Sequence, residues 1–261
     1  MQGDGARLVN PLDLTGRHFL ITGAASGIGQ ATASLLHRLG AHLSLVDRDE
    51  HRLAATCRLL AGAAPALGHA FDLSDIDGID TLVTKIVAST GALNGVIHCA
   101  GIQSVVPVRT LRPENWRALF AVNTEAGLAL AKAMASKKIY AGKNGSIIFI
   151  SSIMALAGSP GAVAYSMSKA ALHGMTRALA IELAPRELRV NCIAPGFVQT
   201  PMFDSTAQLW DEAQHAAVEA LHPLGFGTPQ DVANAVAFLA ADTGRWITGS
   251  IMVVDGGYLA R

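Results

Sequence analysis

The chain has 261 residues, 51% apolar and only 15% charged, and its 20 basic and 20 acidic side chains balance to a formal net charge of +0. With no basic stripe, a nucleic-acid role has no electrostatic support. Against a typical charged share of ~25%, so apolar a chain is expected to bury surface in a homo-oligomer as well as in its own core. Residues 1–11 are polar and glycine-containing, lack the apolar centre of a signal peptide, and read as a flexible arm. From 12 to 261, strand-like and helix-like segments alternate as in a single α/β domain. Strands are expected near 17–22, 42–46, 66–71, 94–98, 145–151, 188–193 and 250–254. Helices are expected near 27–39, 49–62, 75–90, 114–138, 163–184 and 229–241. Mostly apolar strands separated by helices imply a doubly wound parallel sheet covered on both faces. The stretch 196–228 breaks the alternation and carries Phe197, Met202, Phe203, Trp210, His222 and Phe226. A long segment of this kind reads as a substrate lid.

Other patterns exclude functions. Asn144 to Ser168 carries no charge and has the length of a membrane span, but Gly158-Ser159-Pro160-Gly161 interrupts it. A buried strand, a loop and a helix start explain it better, and no membrane role is expected. Cys57, Cys99 and Cys192 are few, odd in number and widely spaced, as free thiols of a reducing cytoplasmic compartment would be. The nine histidines form no metal-ligand pattern, so no metal is expected.

Two motifs carry chemistry. Arg17 to Thr22 reads as a strand running into Gly23-Ala24-Ala25-Ser26-Gly27-Ile28-Gly29, after which a helical pattern starts. Strand, glycine-rich turn and helix start are the context of a dinucleotide site. The glycines let backbone approach a pyrophosphate, and the helix start offers it free N–H groups. A second strand ends at Asp47, 18 residues after Gly29. That is close to the ~20 expected for an acid on the adenosine ribose hydroxyls. The same carboxylate would repel a 2′-phosphate, so NAD(H) is favoured, while the adjacent Arg48 leaves NADP(H) as the alternative. Further on, Tyr165-Ser166-Met167-Ser168-Lys169 places a phenol and an ammonium one helical turn apart. A cation beside a phenol lowers its pKa and fits it for proton exchange with an alcohol or ketone.

Together these residues resemble the short-chain dehydrogenase/reductase family, over almost the whole chain from Leu12 to Tyr258. The family's other markers follow in order: Asp72-Leu73 at the adenine, Ala100-Gly101 after the fourth strand, and Asn123 of the catalytic tetrad. Ser152 lies 13 residues before Tyr165, the family spacing for the catalytic serine, and is preferred over Ser151. Pro195-Gly196, with Val198 and Thr200, matches the nicotinamide segment, and Asp255-Gly256-Gly257 the usual ending. The resemblance implies a Rossmann-type fold with strand order 3-2-1-4-5-6-7 and hydride transfer between NAD(H) and a secondary alcohol or ketone. Tyr165 would exchange the proton and Ser152 would steady the carbonyl oxygen. Lys169 would lower the Tyr165 pKa and bind the nicotinamide ribose, and Asn123 would hold a water linking Lys169 to solvent. The walls expected for an apolar substrate are Gln103, Val105, Ser152, Met154, Phe197, Met202, Phe203 and Trp210. The helices near 114–138 and 163–184 would pack against their copies in a tetramer. The chain is also similar to 3-oxoacyl-acyl-carrier-protein reductases, in which case Lys143 and Arg186 would dock the carrier and NADPH would be used. A cofactor-binding sensor or scaffold without catalysis is the remaining alternative, opposed by the intact tetrad. One departure stands out: the family's Asn-Asn before Ala-Gly is His98-Cys99, where His98 is expected to be structural.

Overall fold

The computed structural model describes residues 10–60, 62, 64–208 and 210–260. Seven strands, β1 (His18–Thr22), β2 (His42–Asp47), β3 (Ala66–Ala70), β4 (Gly95–His98), β5 (Gly145–Ile150), β6 (Leu188–Pro195) and β7 (Ile251–Val254), form one parallel sheet. Their order is β3-β2-β1-β4-β5-β6-β7, as the resemblance implied. The helices are α1 (Gly27–Arg38), α2 (Glu50–Leu59), α3 (Gly78–Thr90), α4 (Pro113–Phe120), α5 (Ala126–Met134), α6 (Val163–Leu183), α7 (Pro201–Ala207), α8 (Glu212–Ala220) and α9 (Pro229–Ala240).

The alternation along each strand divides the core in two. Phe19 and Ile21 of β1, with Ile148 and Ile150 of β5, pack with Ala33 and Leu36 of α1 and Val232 and Val236 of α9. Leu20, Ile147 and Phe149 point to the other face, against Val83 and Ile86 of α3, Leu130 of α5 and Leu172 of α6. Strands β1, β4 and β5 are buried along their whole length, which is why their sequences read as apolar runs. Strand order reverses between β1 and β4, and a crevice opens there at the carboxyl ends of the strands.

Two expectations need correction. The helix expected over 114–138 is broken by a π-helical turn at Ala121–Glu125 and ends at Met134. One residue too many in a helical turn re-aims a side chain, and here that side chain is Asn123. The helix expected from 75 starts at Gly78, because Asp75 caps the turn by accepting from the Gly78 N–H at 3.1 Å. Of the N-terminal arm, residues 1–9 lie outside the described residues, as does Arg261 at the other end. Asn10 is held in a turn, its Oδ1 accepting from the Leu12 N–H at 3.0 Å. The uncharged stretch 144–168 holds β5, a 3-10 turn at Ile153–Ala155 and the start of α6. Among the described residues, no helix is long and apolar enough to cross a membrane.

Candidate active site

The first of two clefts, of 310 Å³, opens beside the turn from β1 to α1. Gly23 has φ +67°, and a Cβ on it would lie 2.8 Å from both N and Cα of Ala100. A Cβ on Gly29 would lie 2.1 Å from the Gly23 carbonyl oxygen. Glycine is therefore the residue that keeps this turn tight and its backbone bare. Ser26 sits at the N-cap of α1 without capping it, so the N–H groups of the first turn face the cleft unclaimed by a side chain. The residues present thus fit a dinucleotide pyrophosphate.

Asp47 ends β2 at the cleft's far wall, and both its oxygens are anchored. Oδ2 accepts from the Ala25 N–H and Oδ1 from the Asp49 N–H, each at 3.0 Å. Each oxygen keeps a lone pair for a hydroxyl donor. Arg48 lines the same wall and is exposed. Arg52, one turn into α2, also lines it, and Asp49 lies 3.4 Å from its Nε. Sequence spacing missed this second cation; an i, i+4 search from Arg48 would have found it. Asp72, which lines the cleft with Leu73, is held below the usual carboxylate range, first by the Ser74 N–H bond and last by the Arg48 charge. All residues assigned to the cofactor line this cleft except Tyr165, Pro195, Gly196 and Val198, which line the second, and Lys169, which lines neither.

The second cleft, of 270 Å³, collects all eight residues expected at the substrate. Ile28, Thr200 and Met202 line both clefts, so the two meet at that shared wall. Ser152 and Tyr165 lie on the floor. Ser152 N-caps the 3-10 turn by accepting from the Met154 N–H at 3.1 Å, and its hydroxyl is the neighbour that lowers the pKa of the Tyr165 phenol. The neighbouring Ser151 is turned away: its hydroxyl meets the Lys169 carbonyl at 3.0 Å and His173 Nε2 at 2.9 Å.

Lys169 is expected to lower the Tyr165 pKa; in this structure burial is the larger influence on the phenol. Burial pushes the phenol up to about 12, and only the Ser152 bond works in the other direction. Lys169 Nζ lies 5.9 Å from the ring centroid because it donates to the Ile150 carbonyl at 2.8 Å, at the end of β5. Burial brings the amine down to about 8. Helical spacing put the two residues on one face but could not reveal that acceptor.

Asn123 is fully buried and brackets the loop after β4. Its Oδ1 accepts from the Ile102 N–H at 2.8 Å, and its Nδ2 donates to the Ile102 carbonyl at 3.0 Å and to Ser168 Oγ at 2.9 Å. Both amide hydrogens are spent, which leaves one Oδ1 lone pair for the expected water. A Cβ on Gly101 would lie 3.1 Å from Lys169 Nζ and 3.3 Å from Asn123 Oδ1, so this glycine keeps the space between them open. His98 is a brace, as expected: Nδ1 meets Thr22 Oγ1 at 2.9 Å and Nε2 meets the Val122 carbonyl at 3.1 Å.

The lid expectation covers α7 and α8. Phe197 sits at the centre of an aromatic cluster, with ring centroids 6.4 Å from Phe203, 6.1 Å from Trp210 and 5.4 Å from His222. His222 donates from Nδ1 to the Val218 carbonyl, leaving Nε2 to accept from the Phe197 N–H at 3.3 Å. Tyr258 near the C-terminus joins the cluster, 5.0 Å from His222.

The two cations expected to dock a carrier are far from the cleft. Lys143 precedes β5 and Arg186 precedes β6, whereas Ser152 and Pro195 lie at the opposite ends of those strands. Six residues of strand span about 20 Å. Arg186 is also engaged, donating to the Ala135 carbonyl over the Tyr140 ring. Among the described residues, no group of His, Cys, Asp or Glu could hold a metal ion.

Residues 23–259 match the family described as enoyl-(acyl carrier protein) reductase. The chain is 36% identical over 246 residues to 3-oxoacyl-[acyl-carrier-protein] reductase of Thermotoga maritima, covering 94% of this chain and 98% of that one. It is also 36% identical over 248 residues to cyclopentanol dehydrogenase of Comamonas testosteroni, covering 93% and 96%. The structure of L-sorbose reductase from Gluconobacter frateurii, complexed with NADPH and L-sorbose, superposes with a TM-score of 0.87 at 30% identity, covering 97% of this chain and 100% of that one. With its seven-stranded sheet and its two adjoining clefts, the chain belongs to the short-chain dehydrogenase/reductase family, as an NAD(P)-dependent oxidoreductase acting on CH–OH groups.

Proposed function

We propose that the protein interconverts a free, apolar ketone and its secondary alcohol with NAD(H), working as a reductase at neutral pH. The observation that carries this reading is the Ser152–Tyr165 pair on the floor of a mostly apolar cleft that shares a wall with the dinucleotide cleft. A dinucleotide held in the first cleft would supply the hydride. Gly23 to Gly29 and the start of α1 hold its phosphates, Asp47 its adenosine ribose, and Thr200 with Val198 its reactive end. Ser152 donates a hydrogen bond to the substrate oxygen and stabilises the charge that develops there. Tyr165, with a pKa near 12, is protonated throughout the neutral range and gives its proton to that oxygen. Lys169, one helical turn from Tyr165, donates to the Ile150 carbonyl from an amine that burial brings down to about 8, and would bind the nicotinamide ribose. Asn123 fixes the loop that separates the clefts.

Asp47 supports NAD(H), since a 2′-phosphate would bring like charge to a carboxylate already anchored in place. The NADPH of the sorbose reductase complex makes Arg48 and Arg52 the groups to watch. A carrier-bound acyl substrate is the second reading, favoured by the Thermotoga relative and opposed by the positions of Lys143 and Arg186. Exposed Leu128 on α5 and Val163, Met167 and Ile181 on α6 support a homo-oligomer built through those helices. The test is NADH oxidation over a panel of small ketones by the wild type and Tyr165→Phe. The variant keeps the ring and should bind NADH while losing ~10²–10⁴-fold in kcat. Retention of more than about a tenth of the wild-type kcat overturns the assignment.

A further inference from the structure

The wall and the lid of the substrate cleft are tied at one point. Gln103, in the loop after β4, donates from Nε2 to Thr206 Oγ1 of α7 at 3.3 Å. The Thr206 hydroxyl sends its own hydrogen to the Met202 carbonyl at 3.4 Å, which leaves an oxygen lone pair for the Gln103 amide. Among the described residues, no other hydrogen bond joins residues 101–112 to residues 196–228. Both side chains line the cleft. Their contact is solvent-exposed, whereas Ser152 on the floor is buried, so the pair spans the rim and not the interior.

The wall cannot easily move away from this contact. Asn123 holds it at Ile102 through two hydrogen bonds, and Val106 donates to the Gly161 carbonyl at 2.9 Å. On the other side, Thr200 caps α7 and Phe203 packs its ring 5.0 Å from that of Phe226. Beneath the rim lie 270 Å³, at the small end of the ~300–1,000 Å³ usual for ligand pockets.

We propose that Gln103 and Thr206 are the specificity-determining pair of this enzyme: they close the rim over a ketone short enough to lie wholly beneath them and discriminate against one whose chain must leave the cleft. This inference rests on the ketone-reductase reading and adds the substrate's size class to it. A tethered acyl chain must pass between wall and lid, and it can do so only with the hydrogen bond broken. A short or small-ring ketone leaves it intact.

The experiment measures kcat/KM with NADH for 2-alkanones from butanone to decanone, and for the N-acetylcysteamine thioester of acetoacetate as a mimic of a carrier arm. Wild type is compared with Thr206→Val, Gln103→Leu and the double variant. Expected are a steep fall with chain length in the wild type and a rise of about three- to tenfold in the decanone-to-butanone ratio in each single variant, the size one neutral hydrogen bond supports. The double variant should exceed the larger single effect by little, because both changes break the same contact. An unchanged ratio in both single variants that still reduce butanone overturns the gate alone. A wild type that takes the thioester as readily as butanone also overturns it. A wild type that reduces no ketone of the panel overturns the gate and the reading beneath it together.

Discussion

Lys169 makes stability depend on pH in a way that separates its burial from its part in turnover. It is only 4% exposed, and burial brings its amine from 10.5 down to about 8. A base whose folded pKa is depressed favours its neutral form on folding. Its contribution to stability is therefore fully present above 10.5 and is lost as pH falls through about 8. At ~1.36 kcal/mol for each tenfold change in proton affinity, the whole swing is about 3 kcal/mol. Between about pH 7 and about pH 9.5, roughly 2 kcal/mol of it should appear. Lys169→Met has no proton to lose, so the wild type should gain about 2 kcal/mol relative to the variant over that interval. The Ile150 carbonyl loses its donor in the variant, at a cost of about 1–3 kcal/mol, but that cost is the same at each pH. It displaces the variant's curve without changing its slope. Cys99 and Cys192, both pushed up to about 12 by burial, lower stability above pH 9, as Tyr165 does above pH 10. These groups are present in both proteins, so most of their effect cancels in the difference. Urea unfolding at a series of pH values measures it. Parallel curves for the two proteins from about pH 7 to about pH 9.5 would show that Lys169 is not desolvated on folding, and would refute the reasoning.

Three further outcomes can be checked directly. The wild type should prefer NADH over NADPH by at least about tenfold in kcat/KM, because charge-assisted bonds to a carboxylate contribute ~1.5–3 kcal/mol; Asp47→Ser should shrink or reverse the preference, and a wild type that prefers NADPH would make Arg48 and Arg52 the dominant contacts. Asn123→Ala removes three buried hydrogen bonds and should cost about 3 kcal/mol in urea unfolding together with most of the turnover, since the loop carrying Gly101 and Gln103 loses its anchor; a fully active variant would show that the bracket is dispensable. Sedimentation should find an oligomer, most simply a tetramer, and a 27.1 kDa monomer at micromolar concentration would refute the use of the exposed apolar residues of α5 and α6 as an interface.

What could be read in advance was local or periodic. Phe19-Leu20-Ile21 announces a strand buried on both faces, and the structure sends its neighbours into two different cores. The glycine turn and the 13-residue interval from Ser152 to Tyr165 are short-range constraints, and their residues line the two adjoining clefts. The misses needed tertiary partners. The π-helical turn around Asn123 has no Gly or Pro to mark it; the partner Asn123 meets there is Ile102, 21 residues earlier in the chain. Thr206 sits in a lid helix whose spacing gives no hint that Gln103, 103 residues earlier, will reach it. Lys143 and Arg186 looked like a pair until strand direction placed them at the wrong edge of the sheet.

The His98 substitution shows how a departure from a family pattern can keep the geometry that the pattern serves. The Ala100 N–H donates to Thr22 Oγ1 at 3.2 Å. The Val122 carbonyl can only accept, so Nε2 carries the hydrogen, and Nδ1 of the neutral ring accepts from the Thr22 hydroxyl. Only the neutral imidazole, protonated at Nε2, satisfies every member of this chain. Burial first, and the Lys169 charge second, bring His98 down to about 3, so the required form persists at any pH where the enzyme would work. The ring needs room beside α5, and Gly127 provides it: a Cβ there would lie 3.1 Å from His98 Cδ2. One side chain thus joins the end of β1, the end of β4 and the π-helical turn that carries Asn123. Those three elements meet where the strand order reverses, between the cleft that suits the dinucleotide and the floor formed by Ser152 and Tyr165. Cys99, the other departure from the family pattern, adds its bulk to the wall of the first cleft.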